Sequence, residues 1–124
     1  MKKEIVLQEL ESLIRSLDFI QEEQSFIKSK LSNLLENKLD QHVIDWAEEL
    51  HQAILNRETA LLLLKNDVLS LRNKLKTTPP DNGGIKEDII KLYKKLKQQV
   101  NYMEVEFFSW KNTTNQSLES VEFV

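Results

Sequence analysis

Apolar side chains recur along the first half of the chain in an alternating rhythm of four and three. Val6, Leu10, Leu13, Leu17, Ile20, Gln24, Ile27, Leu31 and Leu34 form one seam. Val43, Ala47, Leu50, Ile54, Arg57, Leu61, Leu64, Val68, Leu71 and Leu75 form a second. This spacing keeps one stripe of a helix apolar and predicts helices that pack along their length with coiled-coil heptad geometry. One straight rod cannot carry both seams. Leu34 and Val43 hold equivalent positions but stand nine residues apart, which at about 100° per residue swings the stripe to the opposite face. A turn near Asn37 to Asp40 resolves the conflict, with Asp40 capping the second helix. Helix 1 is therefore expected over about 3–37 and helix 2 over about 41–76, folded back as an antiparallel hairpin. In that register Leu34 lies near Val43, Ile27 near Leu50, Leu17 near Leu61, and Val6 near Leu71.

All glycines and prolines of the chain fall between Pro79 and Gly84. That window predicts a loop over 77–84 and leaves the remainder almost wholly helical. Apolar positions resume at Ile85, Ile89, Leu92, Leu96, Val100, Met103, Phe107 and Trp110. The two steps of four from Leu92 to Leu96 to Val100 predict a stutter that relaxes the supercoil. Helix 3 is expected over about 85–116, with a frayed tail over 117–124. The expected fold is an all-α, antiparallel, up-down-up three-helix bundle. It forms a single helical domain over 1–124, able to dimerise into a larger bundle, and Trp46, Phe107 and Trp110 gather at the end carrying the first turn.

Two polar residues interrupt the seams. Gln24 and Arg57 fall within about one turn of each other in the hairpin register. Polar seam residues commonly fix register and oligomeric state, and that is the expectation here. The sharper reading is a ligand or partner pocket in mid-bundle, with Arg57 binding a carboxylate. Glu23 is the expected partner if Arg57 is paired inside the bundle.

Further apolar rows lie outside the seams. Leu7, Ile14 and Leu35 flank the first seam and broaden its stripe. Phe19 and Phe26 lie about 160° round helix 1 from the a positions. Leu55, Leu62 and Leu69 form a seven-residue row on helix 2, set apart from the seam by His51, Glu58, Lys65 and Arg72. A third helix covers one side of a hairpin, and contiguous exposed apolar area marks an interface. Phe19, Phe26, Leu55, Leu62 and Leu69 are therefore the expected partner interface.

Charge and composition narrow the function classes. The 124 residues carry 17 basic and 20 acidic side chains, for a net charge of −3. Their even mixing argues against nucleic acid or anionic membrane as a partner. The run Lys91, Lys94, Lys95 and Lys97 is flanked by Glu87, Asp88, Glu104 and Glu106, as on a solvated face. Cysteine is absent, which removes disulfide and thiolate chemistry. Met1-Lys2-Lys3-Glu4 leads into a charged amphipathic helix, and Ala60 to Leu64 is too short an apolar run to span a bilayer. A cytoplasmic location without membrane insertion is expected.

Catalytic chemistry finds little support. Glu48 and His51 have the Glu-x-x-His spacing of di-iron bundles, but Leu39 stands three residues before His42, so the required second pair is missing. Neither histidine is surrounded by the small residues that a phosphotransfer partner needs for close approach. Gly83-Gly84-Ile85-Lys86 lacks the spacing of a phosphate loop. Asn112-Thr113-Thr114 and Asn115-Gln116-Ser117 match glycosylation acceptors, with no secretory signal to give them weight. No cofactor and no enzyme activity are expected. The expected function is a helical protein–protein interaction or scaffold module, binding itself or a partner helix. The alternative is a ligand-sensing bundle centred on Arg57 and Gln24.

Overall fold

The computed structural model describes residues 2–37, 40–78 and 85–122. Three helices account for nearly all of them: α1 (Lys3–Asn37), α2 (Gln41–Thr77) and α3 (Glu87–Glu122). They pack as an up-down-up bundle, as the heptad pattern predicts. Ion pairs give the directions. Glu11 meets Arg72, Asp18 meets Lys65, and Lys28 meets Glu58, so α1 and α2 run antiparallel. Glu9 meets Lys97 and Glu23 meets Lys111, so α3 runs parallel to α1.

The helix ends follow from local chemistry. Asp40 Oδ1 accepts from the His42 amide at 2.8 Å, capping α2 as its sequence position predicts. Thr78 stands before Pro79, whose ring disfavours helical geometry in the preceding residue, and Thr78 is extended (φ −78°, ψ 126°). Its hydroxyl turns back to the Lys74 carbonyl at 2.6 Å, satisfying one of the acceptors left at the helix end. Glu87 and Asp88 open α3, where carboxylates favour the helix dipole. Of the predicted loop over 77–84, Thr77 belongs to α2, and residues 79–84, like residues 38–39 of the predicted turn, lie outside the described residues.

Every seam position of α1 is buried, Gln24 included. The seam of α2 is buried at Ala47, Ile54, Leu61, Leu64, Val68, Leu71 and Leu75, with Val43, Leu50 and Arg57 half-buried. Helix α3 departs from expectation in two places. First, Tyr93 is buried (3% exposed) and Leu92 is not (42%). With Tyr93 in the seam, Ile89, Tyr93, Leu96, Val100, Met103, Phe107 and Trp110 alternate four and three without a break, so the expected stutter at Leu92 is absent. The tyrosine tolerates this position because its hydroxyl exits the core to Glu9 Oε2 at 2.7 Å.

Second, the expected frayed tail is helix as far as Glu122. Leu118 is 4% exposed and packs with Ile27, Leu31, Leu34, Ala47 and Ile54, while Val121 rests on the same group. Apolar burial of this kind outweighs the weak helix propensity of the Asn- and Ser-rich stretch before it. Residues 123–124 of the expected tail lie outside the described residues.

The core is two clusters. The larger runs from Val6 to Ile20 on α1, with Leu61 to Leu75 on α2 and Ile89 to Phe107 on α3. The smaller joins Ile27, Leu31, Leu34, Ala47, Ile54 and Leu118, with Trp46 and Leu50 packed against it. Gln24 lies between Ile20 and Ile27, and Arg57 between Ile54 and Leu61. The two polar seam residues therefore fall in the layer that divides the clusters, and Trp110 touches both sides of it.

Candidate functional site

Around that layer the bundle is open on one side. A cleft of about 770 Å³ runs between α2 and α3, with Ile20 and Gln24 of α1 as its floor. Helix α2 lines it with Asn56, Arg57, Ala60, Leu63, Leu64 and Asp67. The facing wall includes Lys95, Gln99, Tyr102, Met103, Glu106 and Phe107. A smaller hollow of about 310 Å³ shares Asp67, Lys95 and Gln99 with it and continues along the same two helices to Lys74 and Leu92. From Asn56 to Lys74 the groove therefore extends about 27 Å, at about 1.5 Å per residue.

The sequence explains why the helices stand apart here. On the side of α2 facing α3, the seven-residue row is Ala60, Asp67 and Lys74; on α3 it is Leu92, Gln99 and Glu106. Apart from Leu92, these small and polar residues supply little apolar area to draw the two helices together. Large apolar side chains stand on the lips instead, with Leu63 63% exposed and Tyr102 74%.

Arg57 closes the end of the groove nearest the polar layer. Its Nη1 donates to Glu106 Oε2 at 2.7 Å and its Nη2 to Glu106 Oε1, a two-pronged pair across α2 and α3. Its guanidinium also lies over the Trp110 ring, 4.2 Å from the centroid. The hydrogen bond from Arg57 holds the Glu106 carboxyl below its ordinary range, against the opposing effect of burial. Glu23, the expected partner of Arg57, instead pairs with Lys111 at 2.8 Å. Helical position accounts for the difference: Glu23 lies on the flank of α1 that meets Lys111 of α3, whereas Arg57 projects from α2 toward Glu106 and Trp110 of α3. Glu106 of the bundle itself thus engages both terminal nitrogens of Arg57.

Gln24 is the other member of the layer. It is 2% exposed, and its Oε1 has no hydrogen-bond partner among the described residues. An unpaired buried acceptor of this kind costs about 1–3 kcal/mol.

The five residues expected to form one interface do not share a face. Phe19 (45% exposed) leans on Phe108 of α3, with ring centroids 6.5 Å apart, and Phe26 (61%) continues along that α1–α3 edge. Leu55 (37%) and Leu62 (48%) lie on the opposite side of α1, beyond the ion pairs that Glu58, Lys65 and Arg72 make with it. Leu69 is half-buried against the larger core cluster. Leu7 and Ile14 do broaden the α1 stripe, whereas Leu35 is exposed.

Other sequence candidates are dispersed. His42, His51 and Glu48 are exposed. No group of three or more His, Cys, Asp or Glu able to hold a metal occurs among the described residues. In the lysine run, Lys91 pairs with Glu87, Lys97 pairs with Glu9, and Lys95 lines the groove. Tyr93 and then Lys97, both hydrogen-bonded to Glu9, hold its carboxyl below the usual range. Burial and Glu9 together push the Tyr93 hydroxyl up. Among the described residues no helix is long and apolar enough to cross a membrane.

Comparison with known protein families, with characterised proteins and with solved structures finds no match to this chain.

Proposed function

We propose that the protein is a non-enzymatic helix-docking module, and that the α2–α3 groove is the surface on which it receives an amphipathic helix from a second polypeptide. The observation that carries this reading is the groove's form. It is lined by Ile20, Leu64, Met103 and Phe107 beside Gln24, open along one side, parallel to the bundle axis and about 27 Å long, which accommodates about five helical turns. An added helix in that position would complete a four-helix arrangement and cover Leu63 and Tyr102. Covering two such side chains and the groove walls contributes several kcal/mol before the cost of association, about 1.5–3 kcal/mol for each fully buried large side chain.

A small amphipathic ligand held at the Gln24 end is the second reading. The cleft's volume falls in the range of small-molecule sites, about 300–1,000 Å³. The continuation toward Lys74 and Leu92 favours a helix, since a compact ligand uses only the larger part.

A synthetic amphipathic helix with Leu along one stripe and Lys and Glu elsewhere tests the reading. It is titrated into the full chain while backbone amide NMR shifts are followed. Shifts confined to residues 56–74 of α2 and 92–107 of α3, abolished by Leu63→Lys and kept by Phe26→Asp, are the expected result. Shifts centred on the Phe19–Phe108 edge, or no binding at all, would overturn it.

A further inference from the structure

The charges bordering the α2–α3 groove select the helix it accepts. Resting on the groove reading above, we infer that the partner helix flanks its apolar stripe with a set order of charges. It places a base opposite Asp67 and carboxylates opposite Lys74 and Lys95.

The ion pairs of the bundle point there. In heptad packing the residues beside each seam carry the charges that decide which helices pair and in what register. On α2 the row next to α1 is Glu58, Lys65 and Arg72, and each of the three pairs with a charge on α1. On α3, Lys97 and Lys111 border α1, and both pair with it. The other flank of α2 differs. Asp67 and Lys74 stand there exposed, and neither enters an ion pair among the described residues. The facing row of α3 offers them Leu92 and Gln99, while its one charge among these positions, Glu106, is held by Arg57. Lys95, one turn nearer the α3 lip, is likewise exposed and outside the ion pairs of the described residues.

All three side chains line the groove and are open to solvent. A helix seated between α2 and α3 turns one flank to each. The flank along α2 passes Asp67 and then Lys74, about 10 Å farther on. A base followed two turns later by an acid matches that order. The flank along α3 matches Lys95 with an acid. The groove walls carry Arg57, Lys74 and Lys95 against Asp67 and Glu106. They are thus net positive in a chain of net charge −3, and an acidic excess on the incoming helix is complementary to them. The order of charges also fixes register, because sliding the helix by one heptad sets its base against Lys74.

The test uses the full chain and three synthetic helices of about five turns that share one Leu stripe. The matched helix carries the charges named above, the inverted helix the opposite sign at each, and the neutral helix Gln at each. Affinities come from calorimetric titration at low salt and at about 1 M salt, where screening acts within about 3 Å. Each rim pair is weak alone, but three matched against three mismatched pairs should favour the matched helix about tenfold at low salt. At high salt the two should bind about equally. Asp67→Lys with Lys74→Glu leaves the net charge unchanged and exchanges only the order along α2, so it should abolish the tenfold preference. Both positions are exposed, and circular dichroism confirms that the double variant is folded. A preference that survives the exchange comes from net charge alone and overturns the pairing. If the three helices bind equally at low salt, the charge inference fails and the groove reading stands. If none binds, or if binding survives Leu63→Lys, the groove reading fails and takes the charge inference with it. Light scattering of the chain alone completes the test: a dimer dissolved by Leu63→Lys would make a second copy the occupant and overturn the inference.

Discussion

Arg57 lays its guanidinium over Trp110, 4.2 Å from the ring centroid, while both of its terminal nitrogens engage Glu106. One side chain of α2 thus contacts two residues of α3 one helical turn apart, by two different kinds of interaction. The contact ties the lips of the groove together at one end and leaves the other end open. It also explains how an arginine can occupy a seam position: the stem packs, the aromatic face accepts the cation, and the carboxylate neutralises it.

A double-mutant cycle on Arg57→Met and Glu106→Gln should return a coupling of about 1 kcal/mol, because both side chains keep partial access to water. The coupling depends on pH. Glu106 is held below its ordinary value of 4.5 when folded, so the folded state binds fewer protons than the unfolded chain near that value. The stabilisation is complete above pH 4.5 and is lost as pH falls through the folded value. Urea midpoints of the wild type and Glu106→Gln, compared from pH 7 to pH 3, should converge on acidification.

Gln24→Leu should stabilise the isolated protein by about 1 kcal/mol, since it removes an unpaired buried acceptor and fills a seam position with an apolar side chain. A higher urea midpoint at unchanged slope is the expected record. A lower midpoint would mean that the amide is satisfied in solution, by water for example.

Removing residues 117–124 should cost far more than trimming a frayed tail. Leu118 is 4% exposed in the smaller core cluster, and deleting a buried leucine side chain costs about 2–5 kcal/mol. Leu118→Ala in the intact chain separates that packing loss from the loss of helix length. Thermal unfolding by circular dichroism should show both variants well below the wild type.

Tyr93→Phe keeps the ring in the seam and removes its bond to Glu9. A loss of about 0.5–1.5 kcal/mol at neutral pH is expected. Glu9 also sits below its ordinary 4.5 when folded, through Tyr93 first and Lys97 second. The stabilisation it supplies is therefore present above pH 4.5 and disappears as pH falls through the folded value. Denaturation midpoints of Tyr93→Phe and wild type should accordingly draw together in acid.

The bundle itself was legible in the spacing of apolar residues. Seam residues of α1 and α2 identified on the four-and-three rhythm are buried or half-buried, and Asp40 caps α2 as its position implies. Helix α3 was less legible, because Leu92 and Tyr93 both fit the pattern on one side. A hydropathy reading prefers leucine, whereas the tyrosine wins through a hydroxyl bond to a residue 84 positions away. The tail was misread for a related reason. Thr114 and Leu118 continue the buried face, but they are embedded among Asn, Gln and Ser residues whose propensities are poor.

Placement of the site was the harder problem. A helical wheel of the hairpin shows two flanks and does not say which one α3 will cover. The row Leu55, Leu62 and Leu69 is expected from sequence to be an interface, yet Glu58, Lys65 and Arg72 pair with α1 there, Leu55 and Leu62 stay exposed, and Leu69 rests on the core. The groove lies on the other flank. Its signal was present as the small and polar row Ala60, Asp67 and Lys74, but a weak apolar surface is read from sequence as solvent-facing. Gln24 and Arg57 were legible as seam interruptions. That they would mark the boundary between two core clusters depends on the third helix, which the hairpin register does not contain.

The division of the core at Gln24 and Arg57 also bears on how the molecule breathes. Hydrogen exchange should resolve the bundle into two opening units instead of one, because few apolar contacts cross the polar layer to lock them together. The end built on Ile27, Leu34, Ala47 and Leu118 holds the smaller cluster, and its amides should exchange first, with the environment of Trp46 changing in step. The Val6–Phe107 end would stay closed through those events. One end of the rod is thus a persistent platform and the other a latch, set at the level where the groove terminates.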